Sequence, residues 1–177
     1  MFKINQKSMI KFRLLITPIF ILILFACATT PKKTYEETVS DWKSYKDVAK
    51  WMSRHFSYDM ARFREVEGKS PIPRSPEETF KLKSGVCYDG AYFVKDVLNR
   101  IAPSYEAKVV FIENRPYAVN HFVCSFTKDG KLFIMDYATA HMNMVGVHGP
   151  YNSLDEFKKF YERNHPKVIQ VLSIRYW

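Results

Sequence analysis

The hydrophobic period of this chain changes near Pro103, and that change limits the folds open to it. Ahead of Pro103 the apolar residues recur at helical spacing, and behind it come a β-branched and aromatic run and then alternating ones. From Ser40 to Phe56 they fall at Trp42, Tyr45, Val48, Ala49, Met52 and Phe56. This 3.6-residue stripe predicts one amphipathic helix with Ser40 or Asp41 as N-cap. Arg62 to Arg74 is charged and holds Gly68, Pro71 and Pro73, so a surface loop is expected there. Ser75-Pro76-Glu77-Glu78 then starts a short helix: Ser caps, Pro fits the first turn, and the acids suit the positive end of the dipole. It should stop near Ser84-Gly85. A second helix follows from Cys87, with Ala91, Val94, Val97, Leu98 and Ile101 on one side.

Beyond Pro103, Lys108 to Glu113, His121 to Phe126 and Lys131 to Asp136 read as strands. Asp129-Gly130 joins the last two as a β-hairpin. A loop rich in Met, His and Gly is expected from Ala138 to Tyr151. Ser153-Leu154-Asp155-Glu156 is a capping box for a helix reaching about Arg163, and Lys167 to Arg175 closes as a strand. Helices first, then an antiparallel sheet with one late helix, is an α+β layout.

The start of the chain carries a different message. Lys3, Lys7, Lys11 and Arg13 precede the apolar run Leu14 to Phe25, and no acidic residue occurs before Glu36. A basic stretch followed by about a dozen apolar residues is the layout of a secretory signal peptide. The run falls short of the ~20 residues of a membrane-crossing helix and contains Thr17 and Pro18. Its end, Leu24-Phe25-Ala26-Cys27, resembles the lipobox of bacterial lipoproteins, in which the Cys is acylated and becomes the mature N-terminus. The expected organisation is therefore a signal peptide over 1–26, a lipidated Cys27 with a polar tether over 27–39, and one domain over 40–177. The implied location is the cell envelope, lipid-anchored and facing the periplasm or the exterior. Ala28 after Cys27 suggests the outer membrane, in a cell that has one.

The net charge of +9 falls to +5 without residues 1–26, since 23 basic residues then face 18 acidic ones. The remaining charges are scattered, with no basic run interleaved with aromatics, which argues against nucleic acid as a partner. No Cys-x-x-Cys or His-Glu-x-x-His spacing accompanies His121, Cys124, His141 and His148, so neither a metal nor another cofactor is expected.

Cys87 stands where a glycine-terminated segment turns into a helix. Unpaired N–H groups and the dipole at that end favour the thiolate, the nucleophilic form, and can hold an oxyanion. With Asp129 and Gly130 at the hairpin tip, residue 121 lies opposite 138 and residue 123 opposite 136. His121 and Asp136 are thus diagonal neighbours on one sheet face, where the carboxylate fixes the imidazole tautomer. Cys124 points to the other face and reads as core. A Cys87–Cys124 disulfide is the alternative that exported cysteines leave open.

Lys83-Ser84-Gly85-Val86-Cys87-Tyr88-Asp89-Gly90-Ala91, followed by His121 and Asp136, resembles the transglutaminase-like superfamily of papain-type thiol enzymes. The similarity covers about Trp42 to Tyr137. It implies a papain-like core of N-terminal helices packed on an antiparallel sheet. It also implies Cys87 as nucleophile, His121 as base and Asp136 as the residue that orients it. The substrate would be a peptide or protein, and the reaction acyl transfer or hydrolysis at an amide bond through a Cys thioester. Two positions depart from the family pattern: Val123 replaces a common aromatic, and Tyr137 replaces a frequent Pro or Thr. The other reading open to such a chain is an envelope binding or assembly module that keeps the fold without turnover.

Overall fold

The structure is a computed structural model that describes residues 33–115, 119–167 and 169–177. The expected signal peptide, Cys27 and the start of the tether lie outside the described residues. The rest of the tether does not: Tyr35–Asp41 is a helix, α1. Thr34 caps it, its Oγ1 accepting from the Glu37 N–H at 3.2 Å while Glu37 Oε2 accepts from the Thr34 N–H at 2.8 Å. Tyr35 and Val39 are buried, so the domain begins earlier than position 40.

The single helix expected from Ser40 is two helices. Trp42 leaves α1 in an extended conformation, and α2 runs Tyr45–His55. Asp47 Oδ2 accepts from the backbone N–H groups of Lys43 (2.9 Å) and Ser44 (3.0 Å). That local cap competes with continuation of the helix and wins. Ser57–Tyr58 forms a short strand, β1. The expected loop after it begins with a helix, α3 (Met60–Val66), started by Asp59, which accepts from the Arg62 N–H at 2.9 Å. The charges of Arg62 and Arg64 and the Gly and Pro residues that follow hid it, although Arg62 is turned inward to the buried Asp89.

Helix α4 (Pro76–Leu82) has the Ser75 cap expected of it and ends at left-handed Lys83. Ser84–Gly85, β2, pairs in parallel with β1, and α5 spans Cys87–Ile101. The five-stranded sheet comprises β3 (Lys108–Arg115), β4 (His121–Lys128), β5 (Lys131–Asp136), β6 (Gly146–Tyr151) and β7 (Gln170–Tyr176). Its order is β6-β5-β4-β3-β7, antiparallel throughout. Helix α6 (Leu154–Asn164) precedes β7. β6 occupies part of the segment expected to be a Met-His loop. Its Gly-Val-His-Gly sequence lacks a strand signature, and pairing with β5 rather than propensity holds it.

The sheet is covered on both faces. Phe93, Val94, Val97 and Leu98 of α5 join Cys124, Phe126 and Met135 in one cluster. On the other face, Val110, Ile112, Val123 and Ile134 meet Phe157 and Tyr161 of α6. The β4–β5 register, with Cys124 opposite Met135 and Lys128 opposite Lys131, is the one the Asp129-Gly130 tip dictates. Among the described residues no helix is long and apolar enough to cross a membrane.

Candidate active site

The start of α5 is fixed by a buried carboxylate. Asp89 has no exposed surface, and four N–H groups reach it: Val86 N (3.0 Å), Arg74 N (2.8 Å), Arg62 Nε (2.6 Å) and Arg62 Nη2 (3.1 Å). A buried charge is tolerable only with such pairing. Asp89 therefore caps α5 while tying it to α3 and to the segment before α4. Gly85 makes room for this, since a Cβ there would stand 2.6 Å from Asp89 Cβ. The β1–β2 pairing sets Tyr58 beside Gly85, two positions from Cys87.

At the end of the sheet, where β4 starts and β5 stops, His121 Nε2 meets Asp136 Oδ2 at 2.6 Å. A carboxylate only accepts, so Nε2 carries the proton and donates it. Among the described residues the other ring nitrogen, Nδ1, is left free, and the Cys87 thiol lines the same cleft as the ring. His121 is held well above the usual imidazole range. Burial alone would push it down, but the Asp136 charge, Tyr161, the hydrogen bond to Asp136 and the nearby Cys87 outweigh burial. The three side chains the sequence singled out thus come together: Cys87 and His121 line one cleft, and Asp136 holds the ring.

Neighbours hold this chain in place. The Tyr161 ring stacks on His121 with centroids 6.3 Å apart and planes 20° from parallel. Asn114 fastens the approach to β4, its N–H donating to Asn120 Oδ1 (3.1 Å) and its Nδ2 to the Val119 carbonyl (3.1 Å). Gly90 lets α5 close on the segment after Asp136, because a Cβ there would lie 2.5 Å from Ala138 Cβ. Cys87 and His121 open into a cleft of about 220 Å³, with Tyr58, Met60 and Phe63 on one side and His141, His165 and Lys167 on another. Burial, then the nearby Cys87, pushes the Tyr58 hydroxyl far above its ordinary value, so it stays protonated and able to donate.

A family model of a transglutaminase-like domain matches residues 30–160, most of the chain. The chain belongs to the transglutaminase-like family. No curated protein matches it. Among solved structures, a crystal structure of a TGase is similar at 12% identity and a TM-score of 0.40, over 72% of this chain and 39% of that one. This transglutaminase-like chain therefore spans well under half the length of that TGase.

Other residues that the sequence raised fall elsewhere in the transglutaminase-like domain. Cys124 is fully buried under α5, and both Cys87 and Cys124 are free thiols. His148 Nε2 lies 2.7 Å from the Met144 carbonyl, and its ring packs on Phe160. Among the described residues no group of three or more His, Cys, Asp or Glu side chains is placed to hold a metal ion. Sequence reasoning missed Tyr58, Tyr161, Arg62 and Asn114. Nothing in the local sequence sets these apart; only the pairing of β1 with β2 and the packing of α6 on the sheet do.

Proposed function

We propose that this transglutaminase-like domain is a thiol enzyme of the bacterial cell envelope that cleaves or transfers amide-linked acyl groups of a peptide or protein. The observation that carries this reading is the position of the His121 ring, which lines one cleft with the Cys87 thiol and is held by Asp136 at 2.6 Å. His121 takes the thiol proton, and the Asp136 carboxylate stabilises the resulting imidazolium. Cys87 Sγ attacks the carbonyl carbon. The backbone N–H groups at the start of α5 and the Tyr58 hydroxyl are the donors available to the oxyanion. Collapse of the tetrahedral intermediate expels the amine, which leaves with the His121 proton, and a thioester remains on Cys87. Water then releases an acid, or a second amine forms a new amide.

Iodoacetamide tests this directly. Cys87 should be alkylated far faster than Cys124, and His121→Ala should slow Cys87 by roughly 10²-fold, the scale of a lost acid–base partner. Equal, sluggish labelling of both thiols would sink the enzymatic reading and leave a binding module. Anchoring is proposed through a lipid on Cys27, after removal of residues 1–26. Fatty-acid labelling that persists in Cys27→Ser would refute it.

A further inference from the structure

The cleft is chemically lopsided. Tyr58, Met60 and Phe63 line it from one segment, with the Tyr58 hydroxyl their one polar group, whereas His141, His165 and Lys167 line it from others. Among the described residues no Asp or Glu lines it, and Asp136, hydrogen-bonded to His121, is 4% exposed. The His141 and His165 rings meet edge to face, 4.8 Å between centroids, and the Tyr161 ring follows at 5.4 Å from His165. His165 is orientated by its own turn: its Nδ1 lies 3.2 Å from both the N–H and the carbonyl of Lys167. Nε2 has no partner among the described residues and is left for a ligand. The wall therefore offers a cation and two imidazoles. A carboxylate matches the Lys167 charge and gives the buried His165 a partner that an apolar group could not supply.

We propose that this wall, His141, His165 and Lys167, binds a carboxylate of the substrate next to the amide bond attacked by Cys87. The inference rests on the thiol-enzyme reading and narrows its substrates to acidic ones, either chain ends with a free carboxylate or residues with an acidic side chain. The His121 imidazolium adds to the same positive field. Burial, first among the causes, keeps His141 and His165 below the ordinary imidazole value, so Lys167 supplies the standing charge and the two rings supply hydrogen bonds.

The test uses two alkylating reagents that differ by one charge. In both, the Cys87 sulfur displaces iodide and gains a carbon; iodoacetate brings a carboxylate and iodoacetamide does not. The iodoacetate-to-iodoacetamide rate ratio at Cys87 should fall on the order of fivefold in Lys167→Met and persist in Lys167→Arg. In the unmodified protein it should also fall as salt is added. Lys167 is exposed, so these variants should fold. His165→Phe, which keeps a ring but removes its nitrogens, should lower the ratio about twofold. A ratio unchanged in Lys167→Met overturns the inference. Slow labelling by iodoacetamide itself overturns the thiol-enzyme reading instead, and the ratio still reports the wall.

Two pairs of protectants separate the sources of the carboxylate. N-acetyl-dialanine against its amide reports a chain terminus, and N-acetyl-glutamate amide against N-acetyl-glutamine amide reports a side chain. The charged member of one pair should slow iodoacetamide at Cys87 more than its neutral partner. Equal effects within both pairs overturn the inference.

Discussion

Cys87 and Cys124 are the same residue in two opposed regions of one molecule. Cys87 opens α5 at the rim of a cleft, partly exposed, and His121 lines the same cleft. Cys124 sits mid-strand beneath that helix with no exposed surface, and burial pushes its thiol far above the ordinary range. Among the described residues its Sγ donates only to the Ser125 carbonyl, at 3.4 Å. A thiol in the second setting behaves as a small apolar group, whereas a thiol in the first has somewhere to send its proton. Placement thus decides which cysteine has chemistry, and the placement comes from Asp89 at one end of α5 and the apolar packing of its flank.

The largest expected effect is at the rim. Cys87→Ala should abolish acyl transfer, a loss of about 10⁴-fold or more for a covalent nucleophile, with little change in denaturation midpoint. Activity surviving that change would break the contrast between the two thiols. Next comes the anchor of α5. Asp89→Ala leaves Arg62, only 13% exposed, without its carboxylate and removes the acceptor of the Val86 and Arg74 N–H groups. A cost of about 3–5 kcal/mol is expected from urea unfolding, the scale of a broken buried ion pair. A loss near zero would mean that packing alone positions Cys87.

A smaller effect should appear in pH dependence. Asp136 holds His121 above its ordinary value of 6.5 in the folded chain. The stabilisation from that raised group is fully present below 6.5 and is lost as pH rises through the folded value. Asp136→Asn should therefore remove stability on the acid side of that window more than on the alkaline side. It should also draw the alkaline limb of the activity profile down towards neutrality. An alkaline limb at the same pH in both proteins would show that Asp136 does not tune the imidazole.

Much of this was legible in the sequence because it is written in short-range signals. The Asp129-Gly130 tip fixes which residues of β4 and β5 face each other, and hence that His121 and Asp136 share a face. Ser75 and Pro76 mark α4, and the spacing of Val94, Val97 and Leu98 marks the buried side of α5. The misreadings come from signals that compete. The stripe from Trp42 to Phe56 favours one helix, but the Asp47 side chain caps a second at Ser44. Gly68, Pro71 and Pro73 suggested a loop from Arg62 onwards, yet they follow α3 and do not interrupt it. Tyr161 and His165 belong to a distant helix and the turn after it, so no local pattern could place them at the cleft. The need for Gly90, likewise, becomes visible only when Ala138 is known to lie against it.

The smallest effect concerns the buried thiol. Cys124→Ala removes one sulfur from a tightly packed layer between Val94, Val97 and Met135, so the cost should be about 1 kcal/mol, the scale of a lost methylene-sized group. Iodoacetamide labelling of Cys87 should not change, since the packing lost lies along the flank of α5 and not at its first turn. Urea unfolding and labelling rates measured on the same variant read the two quantities separately. If labelling of Cys87 slowed along with the loss of stability, the flank and the tip of α5 would be mechanically coupled. The two thiols would then be linked through the helix that covers one and presents the other, and their reactivities could not be assigned to local surroundings alone.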